Sequence, residues 1–183
     1  MSSDRPVLLI DALNLFTRHF VANPTMSAHG HHVGGTIGFL RGIQLLVEKV
    51  KPKAVLVAWE GGGSSRRRTI YPDYKKGRKP QKLNRFYGDD IPDTFENRDY
   101  QISLIIELLK SVPVVQTYVS DCEADDVIAY AAKYMYKDDR CVIVSSDKDF
   151  YQLLSNRIVQ WSPGQKRFVT YKTVLEKFGI SSE

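Results

Sequence analysis

Cysteine is scarce in this chain: Cys122 and Cys141 are the only two in 183 residues. They form neither a CxxC pair nor a zinc-ligand spacing. That excludes a zinc finger and a disulfide-stapled scaffold, and a reducing cytoplasm is expected. Long apolar runs are missing too. Nothing approaches the roughly 18 consecutive apolar residues of a membrane-spanning helix, so no membrane partner is expected. The opening Met1-Ser2-Ser3-Asp4-Arg5-Pro6 has no secretory pattern, because the apolar run behind it is too short. Histidine is sparse, and His29, His31 and His32 have no matching ligands around them; they read as a solvated loop. Gly61-Gly62-Gly63-Ser64-Ser65 lacks the Gly-Lys-Ser/Thr ending of a P-loop, which excludes that phosphate cradle.

What the chain does have is an ordinary globular composition, 43% hydrophobic and 26% charged, with the length of one domain. Residues 6–10, 54–59 and 140–145 are short continuous apolar runs, as buried parallel strands require. Helical spacing covers 12–21, 36–49 and 95–111, the last with Ile102, Ile105, Ile106, Leu108 and Leu109 facing a core. Residues 114–119 read as another strand, and 158–161 and 167–170 as short strands around Pro163-Gly164. Thr170 caps a last helix that ends at Gly179. Strands alternating with helices predict an α/β fold: a mainly parallel central sheet with helices on both faces.

The acids cluster at the ends of these elements. Asp11 ends the first strand, Glu60 ends the second, and Asp147 and Asp149 follow the third. Residues 120–132 put four carboxylates (Asp121, Glu123, Asp125, Asp126) into six positions and then become an apolar helix through Val127, Ile128, Ala131 and Ala132. Ser120 or Asp121 is expected to cap that helix. Capping needs one or two acids; four repel one another at a buried helix start unless a cation sits among them. Ligands in open α/β sheets bind beyond the carboxyl ends of strands, so all these acids can meet at one edge. The donors are all oxygen, which selects Mg²⁺ or Mn²⁺ over zinc. Their number suits two ions, roughly 4 Å apart, activating a water and stabilising the leaving oxygen of a phosphodiester.

Charge of the other sign is concentrated. From Arg66 to Arg85 there are nine Lys/Arg and one acid, a formal +8 against +5 for the whole chain, which leaves −3 elsewhere. Arg66, Arg67, Arg68, Tyr74, Lys75, Lys76, Arg78, Lys79, Lys82 and Arg85, interleaved with Tyr71, Phe86 and Tyr87, suit nucleic acid: cations neutralise phosphates and rings stack on unpaired bases. Acids and basic segment together predict a metal-dependent nuclease.

Four motifs, Leu-Leu-Ile-Asp11-Ala-Leu-Asn14, Tyr74-Lys75-x-x-Arg78, Glu123-Ala-Asp125-Asp126 and Ser146-Asp147-Lys148-Asp149, resemble those of the 5′-nuclease family in order and separation. That family includes phage flap endonucleases and the 5′-to-3′ exonuclease domains of bacterial DNA polymerases. The resemblance covers nearly the whole chain. It implies a PIN-like, Rossmann-like α/β core and hydrolysis of DNA, or of an RNA primer on DNA, near a 5′ single-strand–duplex junction. It implies metal ligation by Asp11, Glu60, Glu123, Asp125, Asp126, Asp147 and Asp149. Arg67 would steady the scissile phosphate, residues 61–91 would form a basic arch or clamp, and Arg66, Arg68 or Lys75 would join the catalytic set in place of a lysine that relatives carry near Gly63. A monomer in a bacterial cell, of cellular or phage origin, working beside replication proteins, is the matching setting.

Three departures stand out. Glu60 replaces the family's aspartate, and Gly63 falls near a position where relatives carry a lysine. The chain stops at Glu183, whereas relatives continue into a helix–hairpin region that grips the duplex, so that region is expected to be absent here. Two other classes share some of these features: a nucleic-acid-binding module that does not cleave, and a PIN-domain ribonuclease, which usually lacks a long basic arch.

Overall fold

The computed structural model describes residues 5–62, 65–75 and 95–179. Lys76, Arg78, Lys79, Lys82 and Arg85 lie outside the described residues, as do Gly63, Phe86, Tyr87 and the side chain of Arg66.

In chain order the elements are β1 (Val7–Asp11), α1 (Ala12–Ala22), α2 (Gly34–Val50), β2 (Ala54–Trp59), α3 (Ser65–Ile70), α4 (Phe95–Leu109), β3 (Val115–Tyr118), α5 (Ala124–Tyr130), β4 (Cys141–Val144), β5 (Ile158–Ser162), β6 (Arg167–Val169) and α6 (Tyr171–Phe178). A π-helical turn, Ala131–Met135, extends α5, and a 3₁₀ helix, Lys148–Leu153, follows β4. The sheet order is β3-β2-β1-β4-β5-β6; β1 to β5 pair in parallel and β6 runs antiparallel at the edge.

The apolar runs read as buried strands because both faces of the sheet are covered. Leu8, Ile10, Val55, Val57, Val142 and Val144 face α1, α2 and α4. Val7, Leu9, Leu56, Cys141 and Ile143 face α5 and the 3₁₀ helix. Leu8, Leu9 and Ile10 are fully buried, and each such side chain contributes about 1.5–3 kcal/mol relative to exposure. The strand order reverses between β1 and β4. Chains leaving the carboxyl ends of β2 and β1 go to one side and those leaving β4 to the other, which opens a crevice there. Among the described residues no helix is long and apolar enough to cross a membrane.

Several expectations need correction. The 36–49 helix begins earlier, at Gly34, where no side chain fits: a Cβ would lie 1.9 Å from the Asn23 carbonyl oxygen. The 95–111 helix ends at Leu109, and Leu108 faces outward at 43% exposure, while Ile105 and Leu109 are buried. Within the basic segment, residues 65–70 form a helix, α3. His32 is not solvated. It is 1% exposed, its Nε2 lies 2.8 Å from the Asn23 carbonyl, and Gln101 donates to its backbone oxygen at 2.9 Å. Gln101, fully buried, also accepts from Thr36 N at 3.0 Å, so one amide ties the 23–33 loop, α2 and α4 together.

Candidate active site

β1, β2 and β4 are the three central parallel strands, and their carboxyl ends deliver Asp11, Glu60 and the Asp147 turn side by side. Asp11 is both the last residue of β1 and the N-cap of α1. Its Oδ1 accepts from Asn14 N at 3.1 Å and its Oδ2 accepts from Ser145 Oγ at 3.0 Å. The Asp147 amide donates to the same Ser145 Oγ at 3.1 Å, and Asp147 caps the 3₁₀ helix by accepting from Asp149 N at 3.0 Å. Ser145 thereby joins the ends of β1 and β4. Burial is the main force on the Asp11 carboxyl. Hydrogen bonds from Asn14 and Ser145 oppose it and the charges of Glu60 and Asp147 reinforce it, which leaves the pKa raised from 3.8 to about 6.

Glu60 follows β2 and accepts from Ala124 N at 3.1 Å, so it satisfies the start of α5. Gly61 makes that contact possible. Its amide donates to Cys122 O at 3.0 Å and its carbonyl accepts from Asp121 N at 2.9 Å, in a space where a Cβ would lie 1.7 Å from Val119 O. The cap of α5 is therefore Glu123, not Ser120 or Asp121, and it makes no side-chain capping bond. Asp121 has a left-handed backbone and accepts from Ser65 Oγ at 2.8 Å, away from the acid cluster.

Glu123 is 3% exposed and heavily contacted. Arg67 of α3 pairs with it, and Lys75 Nζ lies 2.7 Å from its Oε1. The Tyr74 hydroxyl donates to Glu123 Oε2 at 3.2 Å and accepts from Arg67 at 3.0 Å. Arg67 also reaches Asp126 Oδ1 at 2.7 Å and Asp125 Oδ2 at 4.0 Å. One guanidinium spans Glu123 and Asp126 because residues three apart share a helix face. Partial burial acts to lower both cations, but the Tyr74 hydroxyl and the acids outweigh it for Arg67, and Glu123 does for Lys75, so both end above their ordinary values. Burial first, then Asp126 and Glu123, raises Asp125. Arg67, Tyr74, Asp125, Asp126, Asp149 and Phe150 line an open pocket of about 280 Å³.

The structure thus brings Asp11, Glu60 and Asp147 together at the sheet edge, and Glu123, Asp125 and Asp126 under Arg67 and Lys75. Asp149 faces the same pocket. Among the described residues no three His, Cys, Asp or Glu side chains already form a metal cage; protein cations neutralise Glu123 instead. Among the described residues Arg68, on α3, makes no hydrogen bond or ion pair with the acids. Sequence reading named Asn14 only as the end of a motif and missed Ser145 and Gln160. Asn14 was legible as the N3 residue after a capping Asp. Gln160 was signalled as a polar residue at an inward position of an apolar strand, where the burial alternates through Ile158, Gln160 and Ser162.

A family model described as "5′-3′ exonuclease, N-terminal resolvase-like domain" matches residues 6–179. A 5′-3′ exonuclease of Aquifex aeolicus is 31% identical over 181 residues, 98% of this chain and 58% of that protein. Flap endonuclease Xni of Shewanella woodyi is 32% identical, covering 94% of this chain and 62% of that protein. The chain spans about three fifths of the length of these curated relatives. In fold it is similar to bacteriophage T5 5′-exonuclease with divalent zinc ions bound, with a TM-score of 0.73 at 18% identity over 97% of this chain and 62% of that one. It is also similar to the catalytic core of Rad2 in complex with DNA substrate, with a TM-score of 0.55 at 18% identity over 97% and 52%. The parallel sheet with an acid-lined carboxyl edge is that PIN-like α/β fold, and the chain belongs to the 5′-3′ exonuclease family through its N-terminal resolvase-like domain.

Proposed function

We propose that this chain carries the catalytic centre of a structure-specific 5′ nuclease. It hydrolyses phosphodiesters of DNA, or of an RNA primer on DNA, near a 5′ single-strand–duplex junction. One observation carries the reading: Arg67, Tyr74 and Lys75 from the basic segment descend onto Glu123 and Asp126, beside the strand ends that bear Asp11, Glu60 and Asp147. Arg67 shares one open pocket with the oxygen donors Asp125, Asp126 and Asp149.

Asp11, Glu60, Glu123, Asp125, Asp126, Asp147 and Asp149 fit divalent cations, Mg²⁺ first with Mn²⁺ as substitute, because hard oxygen donors suit them. Burial and mutual repulsion raise Asp11 and Asp125, and a cation among them relieves that cost. When bound, two such ions supply the activation of water and the stabilisation of the leaving oxygen. Arg67 and Lys75, which here neutralise Glu123, are positioned to take up the charge of a scissile phosphate; a guanidinium does so with two parallel donors. Tyr74 orients Arg67 through its hydroxyl, and the Arg67 and Lys75 charges lie 5.6 and 5.4 Å from its ring. Arg66, Arg68, Lys76, Arg78, Lys79, Lys82 and Arg85 supply the sequence-independent attraction for the strand.

The test is cleavage of a 5′-labelled flap DNA and of a hairpin RNA with Mg²⁺, with Mn²⁺ and with EDTA, by this chain and by its Asp149→Asn variant. Metal-dependent cutting near the junction, lost in Asp149→Asn while DNA binding persists, is expected. Full activity in Asp149→Asn would sink the ligand set. Preference for the RNA would assign a ribonuclease, and tight binding without cutting in either metal, by this chain and by a C-terminally extended form, would assign a non-cleaving module.

A further inference from the structure

Gln160 is 1% exposed on β5, opposite Ile143 of β4. Its Nε2 donates to Ser145 O at 2.7 Å and to Asp147 O at 2.8 Å. Its Oε1 is buried and has no hydrogen-bond partner among the described residues. A flipped amide would set an oxygen against two carbonyl oxygens, so the hydrogen-bond network itself fixes the orientation. An orphaned buried acceptor is costly; leucine or methionine would avoid it but would strip the donor from the Ser145 and Asp147 carbonyls. What the amide adds is a two-pronged hold on the turn from Ser145 to Asp147.

That turn is the support of the acid cluster. Ser145 Oγ donates to Asp11 and accepts from the Asp147 amide. Asn14 Oδ1 holds the Ser146 amide at 2.9 Å, and Ser146 Oγ holds Gly164 N at 3.1 Å. Asp147 in turn holds the Asp149 amide. Among the described residues Gln160 is the side chain that grips the Ser145 and Asp147 carbonyls together. We propose that Gln160 is a positioning residue for metal binding: through Ser145 O and Asp147 O it fixes the turn that sets Asp147 and Asp149 against Asp11. It touches neither substrate nor ion.

This inference rests on the metal-binding reading above, and the test separates the two. Mn²⁺ affinity of this chain is measured by electron paramagnetic resonance titration, well below the unfolding temperature, for the parent, Gln160→Leu, Gln160→Met and Asp147→Asn. Thermal unfolding in EDTA is recorded for each. Gln160→Leu or Gln160→Met is expected to unfold cooperatively and to bind Mn²⁺ about 10-fold more weakly, as loss of a residue that orients metal ligands does, while DNA binding in EDTA is unchanged. A folded Leu or Met variant whose Mn²⁺ affinity stays within about twofold of the parent, with Asp147→Asn weakened, overturns the role of Gln160 and leaves the metal reading standing. Parent-like affinity in Asp147→Asn overturns both. If neither Gln160 variant folds, Gln160 is a structural residue and the proposal fails.

Discussion

Neutralising Asp11 should stabilise the metal-free protein. Its carboxyl has a pKa of about 6 in the fold against 3.8 when unperturbed, chiefly because burial disfavours the charged form. A group raised in the folded state contributes stability fully below its unfolded pKa, and that contribution is lost as pH rises through the folded pKa. Above about pH 7 the folded chain therefore carries the full penalty, at most about 3 kcal/mol for roughly two pKa units. Asp11→Asn removes the charge with little change in shape, although Ser145 Oγ loses an anionic acceptor, so the gain should be about 1–3 kcal/mol. For a chain of this length that is a rise of roughly 2–10 °C in Tm. The assay is thermal or urea unfolding in EDTA at about pH 4, 6 and 8. The gain should be largest at the highest pH and near zero at the lowest, where Asp11 is already protonated. With Mg²⁺ present the order should reverse, because the ion stabilises only a chain that binds it. Equal stability of parent and variant at high pH, or a gain that does not depend on pH, would refute the reasoning.

Arg67→Ala should lower kcat for flap cleavage more than it raises KM, since a phosphate contact of this kind tightens as charge develops; a pure KM effect in steady-state kinetics would make Arg67 a backbone-binding residue instead. Gly61→Ala should destabilise the chain by about 1–3 kcal/mol or more in urea unfolding, because its Cβ meets backbone oxygen rather than a yielding side chain. A neutral result would mean that the β2–α5 junction shifts freely. Gln101→Leu should cost about 2 kcal/mol or more, measured the same way, since it strips the partner from Thr36 N and from the His32 carbonyl in a buried setting.

Much of the centre was legible from residue types. Continuous apolar runs ending in an acid marked β1, β2 and β4, because a strand covered on both faces has no alternation to hide it. The Thr170 cap and Gly179 stop were legible as well, since both act through the local backbone: Thr170 and Thr173 exchange the reciprocal bonds of a capping box, and Gly179 is left-handed. The misreadings came where distant groups decide. Ser120 and Asp121 looked like caps, but the Gly61 backbone claims that stretch and delays α5 to Ala124. His32 looked like a solvated loop residue because nothing near it in sequence reveals Gln101, 69 positions away.

By itself the sequence determined the α/β class, the acids at the strand ends and the basic segment, since local periodicity and charge write these directly into the chain. Only the tertiary structure decided which groups face each other. Strand order put β1 between β2 and β4 and so gathered Asp11, Glu60 and Asp147. Folding back of the basic segment set Arg67, Tyr74 and Lys75 on Glu123. Packing of β5 against β4 slid Gln160 under the Asp147 turn. These pairings join residues far apart in the chain, and backbone propensity and hydrophobic period carry no record of them.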